Sequence, residues 1–273
     1  MFKRIFKRII TEFKLFTPIK IKNVNEEIII SLTSYPARFK KLHYVIRSLL
    51  HQKMSVSKVI LYLGTDTKKE EIPNSLKKLQ KYNFEIKENY EDLKPHKKYY
   101  YAMQEFPNKI IITVDDDLIY DANLVKDLYE SYLKYPNCVS ARRVHKITSN
   151  NNKVKPYNNW IWEYKEEVSP SHSLFATTGA GTLYPPNILP KETFNTENIK
   201  KYCLKTDDVW MKFMEIKNNT KVVFTNSKII HPLTIRDTQE SGLMQTNTKN
   251  ENQNDINIKN MEEFTKINLA DYI

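Results

Sequence analysis

The chain has 273 residues, 40% of them hydrophobic, a mean hydropathy of −0.59 and a formal net charge of +11. That length suits one large α/β domain or two small ones with a sizeable core, and the sequence offers no continuous apolar run of membrane-spanning length. Cys138 and Cys203 are far apart and in no metal-ligand spacing, as expected of reduced thiols in a cytosolic protein.

The charge is uneven. Lys3, Arg4, Lys7, Arg8, Lys14, Lys20 and Lys22 face only Glu12 within residues 1–22, so more than half of the excess sits at one end. On a helical wheel Phe2, Ile5, Phe6, Ile9, Ile10, Phe13 and Phe16 share a face opposite most of those cations. This predicts a basic amphipathic arm over residues 1–24 that lies on an anionic membrane surface. The expected location is cytoplasmic, peripheral on the inner face of the cell membrane. The alternative is an ordinary amphipathic helix packed on the body.

Glu27 to Leu32 reads as a first buried strand, and Phe39 to His51 as a helix with apolar residues at helical spacing. Val59–Leu63 is a second strand, Ile72–Tyr82 a helix with Pro73 in its first turn, and Phe84–Lys87 a third strand. A helix from about Lys97 to Glu105 precedes the fourth strand, Lys109–Val114, and another follows over Asn123–Tyr135. Strands alternating with helices predict an α/β fold with a mostly parallel, Rossmann-like sheet flanked by helices. No glycine-rich loop follows the first strand, which argues against a dinucleotide or P-loop site. After Cys138 the rhythm changes: a strand over Val139–Arg142, an Asn-rich loop, the patch Trp160-Ile161-Trp162, the segment Phe175–Tyr184 and a helix from about Asp208 to Lys217. The expected organisation is a catalytic domain over 25–235, with a donor half at 25–137 and an acceptor half at 138–235. A polar tail, expected to be partly disordered, follows at 236–273.

The fourth strand stops on Asp115, Asp116 and Asp117. Strands of open α/β sheets deliver functional groups at their carboxyl ends, and persistent extended geometry would point Asp115 and Asp117 the same way. Two like charges roughly 4 Å apart repel by ~1 kcal/mol in water and about 4 near a protein surface, so the cluster calls for a cation. Arg38, Lys94, Lys97 and Lys98 lie near it in the predicted order of elements. Two of only four glycines fall in Thr178-Gly179-Ala180-Gly181-Thr182, where a tight turn or close ligand approach would need them. Thr206-Asp207-Asp208-Val209-Trp210 puts two carboxylates at a helix start, suited either to capping or to general-base activation of a hydroxyl. His231 suits a metal ligand or a structural histidine.

Four motifs in this order carry a resemblance: Ser31-Leu32-Thr33-Ser34-Tyr35-Pro36-Ala37-Arg38, Lys94-Pro95-His96-Lys97-Lys98, Val114-Asp115-Asp116-Asp117, and Gly179-Ala180-Gly181 with Thr206-Asp207-Asp208-Val209-Trp210. The sequence resembles bacterial glycosyltransferases of the GT-A fold, akin to the family 2 enzymes that build capsular and lipooligosaccharide chains. The resemblance implies a nucleotide-sugar donor, a UDP-sugar above all, and a glycan or lipid-linked acceptor; no nucleic acid is expected as partner, because more than half of the excess charge sits in one terminal arm and the body offers acids at its best site. It implies that Thr33, Tyr35 and Arg38 receive the nucleoside and that Lys98 lies near the donor diphosphate. Asp115 and Asp116 would contact the donor, and Asp117, with Asp115 and His231, would hold Mn²⁺ or Mg²⁺. Gly179, Ala180, Gly181 and Trp210 would line the acceptor, and Asp208, paired with Asp207, would deprotonate its hydroxyl. Two positions depart from the family pattern: Lys94 stands where glycine is usual, and Asp207 where glutamate is commoner. Alternatives are a metal-dependent nucleotidyltransferase or phosphohydrolase, using the same carboxylates on phosphorus, and a basic polyanion-binding protein.

Overall fold

The computed structural model describes residues 15–21, 24–235 and 252–273. The amphipathic arm lies largely outside them. Of its described part, Leu15 and Ile19 are buried in the first core, and Arg47 donates to the carbonyls of Leu15 and Thr17.

Strands β1 (Asn25–Thr33), β2 (Val56–Gly64), β3 (Phe84–Tyr90) and β4 (Ile110–Thr113) are parallel neighbours in the order β3-β2-β1-β4. The near-continuous Ile, Val and Leu runs of β1, β2 and β4 are what burial on both faces demands, while β3, at the sheet edge, is more polar. Helices α1 (Phe39–Leu50) and α2 (Lys97–Glu105) supply crossovers between them. The helix predicted over Ile72–Tyr82 shortens to one turn, Asn74–Lys77, continued by a 3-10 turn to Lys81. After the two-residue strand β5 (Leu118–Ile119), helix α3 (Leu124–Lys134) leads to the second half.

Strand β6 (Cys138–Ala141) joins the same sheet through the later antiparallel strand Thr182–Tyr184, which pairs with both β6 and β4. Between them come β7 (Val144–Lys146), the hairpin β8 (Ser149–Asn150) with β9 (Lys153–Val154), and β10 (Leu174–Ala176), which makes the Thr182–Tyr184 strand β11. Helix α4 (Asp207–Lys217), β12 (Lys221–Phe224) and β13 (Leu233–Thr234) follow. The sheet has seven strands in the order β12-β6-β11-β4-β1-β2-β3, and within it only β11 runs against its neighbours. The Asn-rich segment is tied in place: Lys146 and Ile161 exchange backbone bonds, and β7 pairs with β10.

The tail differs from expectation over its described part. Gln253–Thr265 forms helix α5, with Ile258 and Met261 buried in the second core and the Phe264 ring stacked on Tyr202. Polar residues also serve it, since Asn257 Nδ2 donates to Thr206 Oγ1 and Asp255 accepts from Tyr157 N. Hydrogen-bonded asparagine is compatible with burial, which is why composition alone misses this helix.

Candidate active site

The chain goes from β1 outward to β2 and β3, then returns to the other side of β1 as β4. The crevice beyond the carboxyl ends of β1 and β4 is therefore the switch point at which open α/β sheets bind ligands. Arg38 reaches into it from the turn after β1, and the acidic run enters from β4. Arg38 Nη1 pairs with Asp116 Oδ1 and lies 3.2 Å from Asp117 Oδ2, while Ser34 Oγ donates to Asp116 Oδ2. Tyr35 lies against the Arg38 guanidinium at 5.4 Å, and Thr33 Oγ1 donates to Tyr62 O. Burial pushes Asp116 up despite Arg38 and Ser34.

One expectation fails here. Extended geometry ends at Thr113, and Asp116 and Asp117 occupy a turn before β5. Asp117 therefore shares Arg38 with Asp116, while Asp115 faces Lys98 instead of lying beside Asp117.

Lys98 joins the two acidic motifs. Its Nζ lies 2.8 Å from Asp115 Oδ1 and 2.9 Å from Asp207 Oδ2, with the side chain only 4% exposed. A cation in the first turn of a helix opposes the macrodipole, and α2 begins with Lys97 and Lys98 and no acidic residue. The carboxylates offset that cost. Burial works against the charge on Lys98, but Asp115, Asp207 and Asp208 hold its pKa well above the usual range. Burial likewise opposes ionisation of Asp115, where Lys98, then Arg143 and Arg38, prevail and keep it low.

The turn before α2 is pinned from below by His96. Its Nε2 lies 2.9 Å from Cys203 O, an acceptor only, so this nitrogen carries the proton and Nδ1 accepts from Tyr99 Oη at 2.8 Å. Burial pushes this histidine down to about 4, so it is a neutral brace between the Lys98 turn and the loop before α4. Lys94 has φ +52°, left-handed geometry that glycine adopts without strain.

Asp207 and Asp208 open α4, whose N-cap residue is Thr206, and no side-chain capping bond forms. Asp207 spends an oxygen on Lys98. Asp208 accepts from Thr178 Oγ1 at 2.6 Å and Thr178 N at 3.2 Å. Burial and then the neighbouring Asp207 raise Asp208 to about 7, with Lys98 and Thr178 acting in the other direction. A carboxyl poised there, on a partly exposed side chain, is equipped to take a proton near neutrality.

The glycine pair has two local reasons. A Cβ on Gly179 would run into the Asp115 carboxylate, and Gly181, at φ +106°, packs against Leu124. Tyr120, unremarked in the sequence, ties the pieces together: its hydroxyl donates to Gly179 O at 2.6 Å and receives the Asp115 N–H at 2.8 Å.

Several assigned residues are placed otherwise. Trp210 and Ala180 are wholly buried, Gly181 is buried too, and the Trp210 indole donates to Thr193 O; these three shape the floor and do not line an acceptor surface. His231 is exposed and pairs with Glu163 at 2.8 Å. Among the described residues no group of three His, Cys, Asp or Glu side chains is arranged to hold a metal. A divalent ion on a diphosphate needs only one or two protein carboxylates, the phosphates and water completing its shell. Asp115 and Asp117 fit that role, because the five aspartates here outnumber Lys98, Arg38 and Arg143. His231 does not join them.

Sequence reading also missed Arg143, whose Nε donates to Thr177 Oγ1 at 2.6 Å and whose charge bears on Asp115. A basic residue just past the carboxyl end of β6 was the available signal.

Residues 29–191 match Glycosyl transferase family 2, a stretch that includes Arg38, Lys98, the acidic run and both glycines but ends before Asp207. No curated protein matches the sequence. Among solved structures the chain is similar to 4-diphosphocytidyl-2C-methyl-D-erythritol synthase, at TM-score 0.48 and 8% identity over 80% of this chain and 96% of that one. It is also similar to S. aureus TarS 1–349, at TM-score 0.48 and 13% identity over 88% and 73%.

Proposed function

The chain belongs to glycosyl transferase family 2 and has the GT-A fold, and on that footing we propose that it moves a sugar from a nucleoside-diphosphate sugar, a UDP-sugar above all, to a glycan or lipid-linked acceptor hydroxyl, with inversion. The observation that carries the reading is the bridge made by Lys98, which brings the acidic run and the Asp207–Asp208 pair into one cleft.

The nucleoside enters the crevice between β1 and β4, against Tyr35, Thr33 and Arg38. Asp117, with Asp115, would hold Mn²⁺ or Mg²⁺, which when bound would supply a Lewis acid for the leaving diphosphate. Lys98 sits behind Asp115 as a fixed charge in a buried setting, where electrostatic preorganisation is most effective. On the other side, Asp208 takes the proton of the acceptor hydroxyl, while Thr178 fixes the orientation of its carboxylate. Proximity of the two substrates contributes a further share of the acceleration.

We further place the reaction in surface polysaccharide synthesis at the inner face of the membrane, with the basic amphipathic arm as the peripheral contact. Among the described residues no helix is long and apolar enough to cross a membrane.

The test is a thermal-shift screen of nucleotide sugars with and without Mn²⁺, followed by product analysis with the stabilising donor. Transfer conserves the sugar on an acceptor, and the anomeric proton signal reports inversion. Release of free sugar phosphate with no glycoside formed in any acceptor mixture would favour a hydrolase.

A further inference from the structure

Arg143 lies between β6 and β7, beside Asp115 across Gly179. Its Nε is fixed by Thr177, and no carboxylate among the described residues forms an ion pair with it. His145 follows two residues on, in β7, and the Arg143 charge is felt at the His145 ring. His145 is buried, and its Nδ1 accepts from Glu163 N at 3.0 Å.

Trp162 lies flat on that ring, with centroids 4.9 Å apart and planes at 14°, and its Nε1 donates to Tyr157 O. Although so firmly held, Trp162 is 38% exposed, whereas Trp160 and Trp210 are buried. Tyr157 connects this wall to the chemistry, since its hydroxyl lies within the influence of both Asp208 and Arg143.

We propose that Arg143 and Trp162 form the acceptor subsite, and that the acceptor sugar there carries an oxyanion, either carboxylate or phosphate, bound by Arg143 while the ring lies on Trp162. This deepens the transferase reading and rests on it. A guanidinium offers a planar fork matched to both oxyanions, and a rigid indole offers apolar area at little entropic cost. The guanidinium decides for an anion: no described carboxylate forms an ion pair with it, and in a cleft this rich in aspartates an anionic acceptor binds only beside a cation that offsets the field. On the acceptor side Arg143 is so placed, while Arg38 is committed to Asp116 and Asp117.

The test follows the tryptophan indole N–H signals of the ¹⁵N-labelled full chain during titration with methyl β-glucoside, methyl β-glucuronide and methyl β-glucoside 6-phosphate. Trp162→Phe identifies the reporting signal. The expected result is that at least one charged probe shifts that signal about tenfold more tightly than the neutral sugar, the tighter of the two naming the oxyanion. Arg143→Gln erases the preference, Arg143→Lys, which keeps charge without the fork, retains part of it, and Trp162→Ala weakens all three probes. The proposal is overturned if the neutral sugar binds as tightly, or if the preference survives in Arg143→Gln. It is also overturned if Arg143→Gln weakens UDP with Mn²⁺ as much as it weakens the charged sugars, because the guanidinium would then serve the donor. Failure of UDP to bind the wild-type chain, with the sugar preference intact, would defeat the transferase reading and leave the anion subsite standing.

Discussion

Asp115–Asp117 and Asp207–Asp208 meet on the same lysine, yet their surroundings suit them to different tasks. The first cluster is answered by cations on two sides, Arg38 on Asp116 and Asp117 and Lys98 on Asp115. In the second, Lys98 serves Asp207, while Asp208 has the neutral donors of Thr178 and is pushed up to about 7. A carboxylate kept ionised, as Asp115 is by Lys98, suits a lasting role in holding a cation. One that ionises near neutrality suits transient custody of a proton. Identical side chains are thus differentiated by what faces them.

Removing the shared cation disturbs this contrast most. Lys98→Met leaves the buried Asp207, and the partly exposed Asp115, without their partner and is expected to cost about 3–5 kcal/mol, the range for breaking a buried pair from one side. Urea unfolding measures it, and a loss under 1 kcal/mol would mean that the bridge is peripheral. Thr178→Val sharpens the contrast on the base side. It removes a hydroxyl donor to the ionised form of Asp208, a bond worth roughly 1.5–3 kcal/mol, so the pKa rises by about 1–2 units. The active form is the ionised one, so transfer in wild type increases with pH through about 7, and the variant's midpoint moves to higher pH. An unmoved midpoint would remove Asp208 from the rate law.

Gly179→Ala tests the contact between the halves. The new methyl meets the Asp115 carboxylate, and overpacking of this kind costs about 1–3 kcal/mol; weakened Mn²⁺–UDP binding in a thermal-shift titration is the expected readout. Smallest is Lys94→Gly, which relieves a left-handed backbone at φ +52° by roughly 1 kcal/mol but forfeits the side-chain bond to Asp92. Stability is expected to change by under about 1 kcal/mol, with donor binding intact.

The two halves also differ in what their sequences disclose. β1, β2 and β4 are buried on both faces, so unbroken apolar runs and the helices between them suffice to locate the crevice and to put Arg38 and the acidic run at its mouth. In the second half, strands of two to four residues alternate with turns, and neighbouring residues part company. Arg142 is buried against Asp121, Asp127 and Ser227, while Arg143 turns to the cleft. Nothing in the doublet itself tells the two apart. Trp210, two residues past Asp208, faces the core because two steps along a helix rotate a side chain by roughly 200°. The turn at Asp116–Asp117 reassigns carboxylates that strand periodicity would have aligned.

The most direct test of the division of labour crosses the two clusters in one experiment, measuring Mn²⁺-dependent donor binding and single-turnover transfer for Asp117→Ala and Asp208→Asn. Asp208→Asn is predicted to bind donor like wild type and to lose transfer by about 10²–10⁴-fold, whereas Asp117→Ala loses donor binding itself. Near-normal transfer by Asp208→Asn, or donor binding untouched in Asp117→Ala, would contradict the assignment of the two clusters.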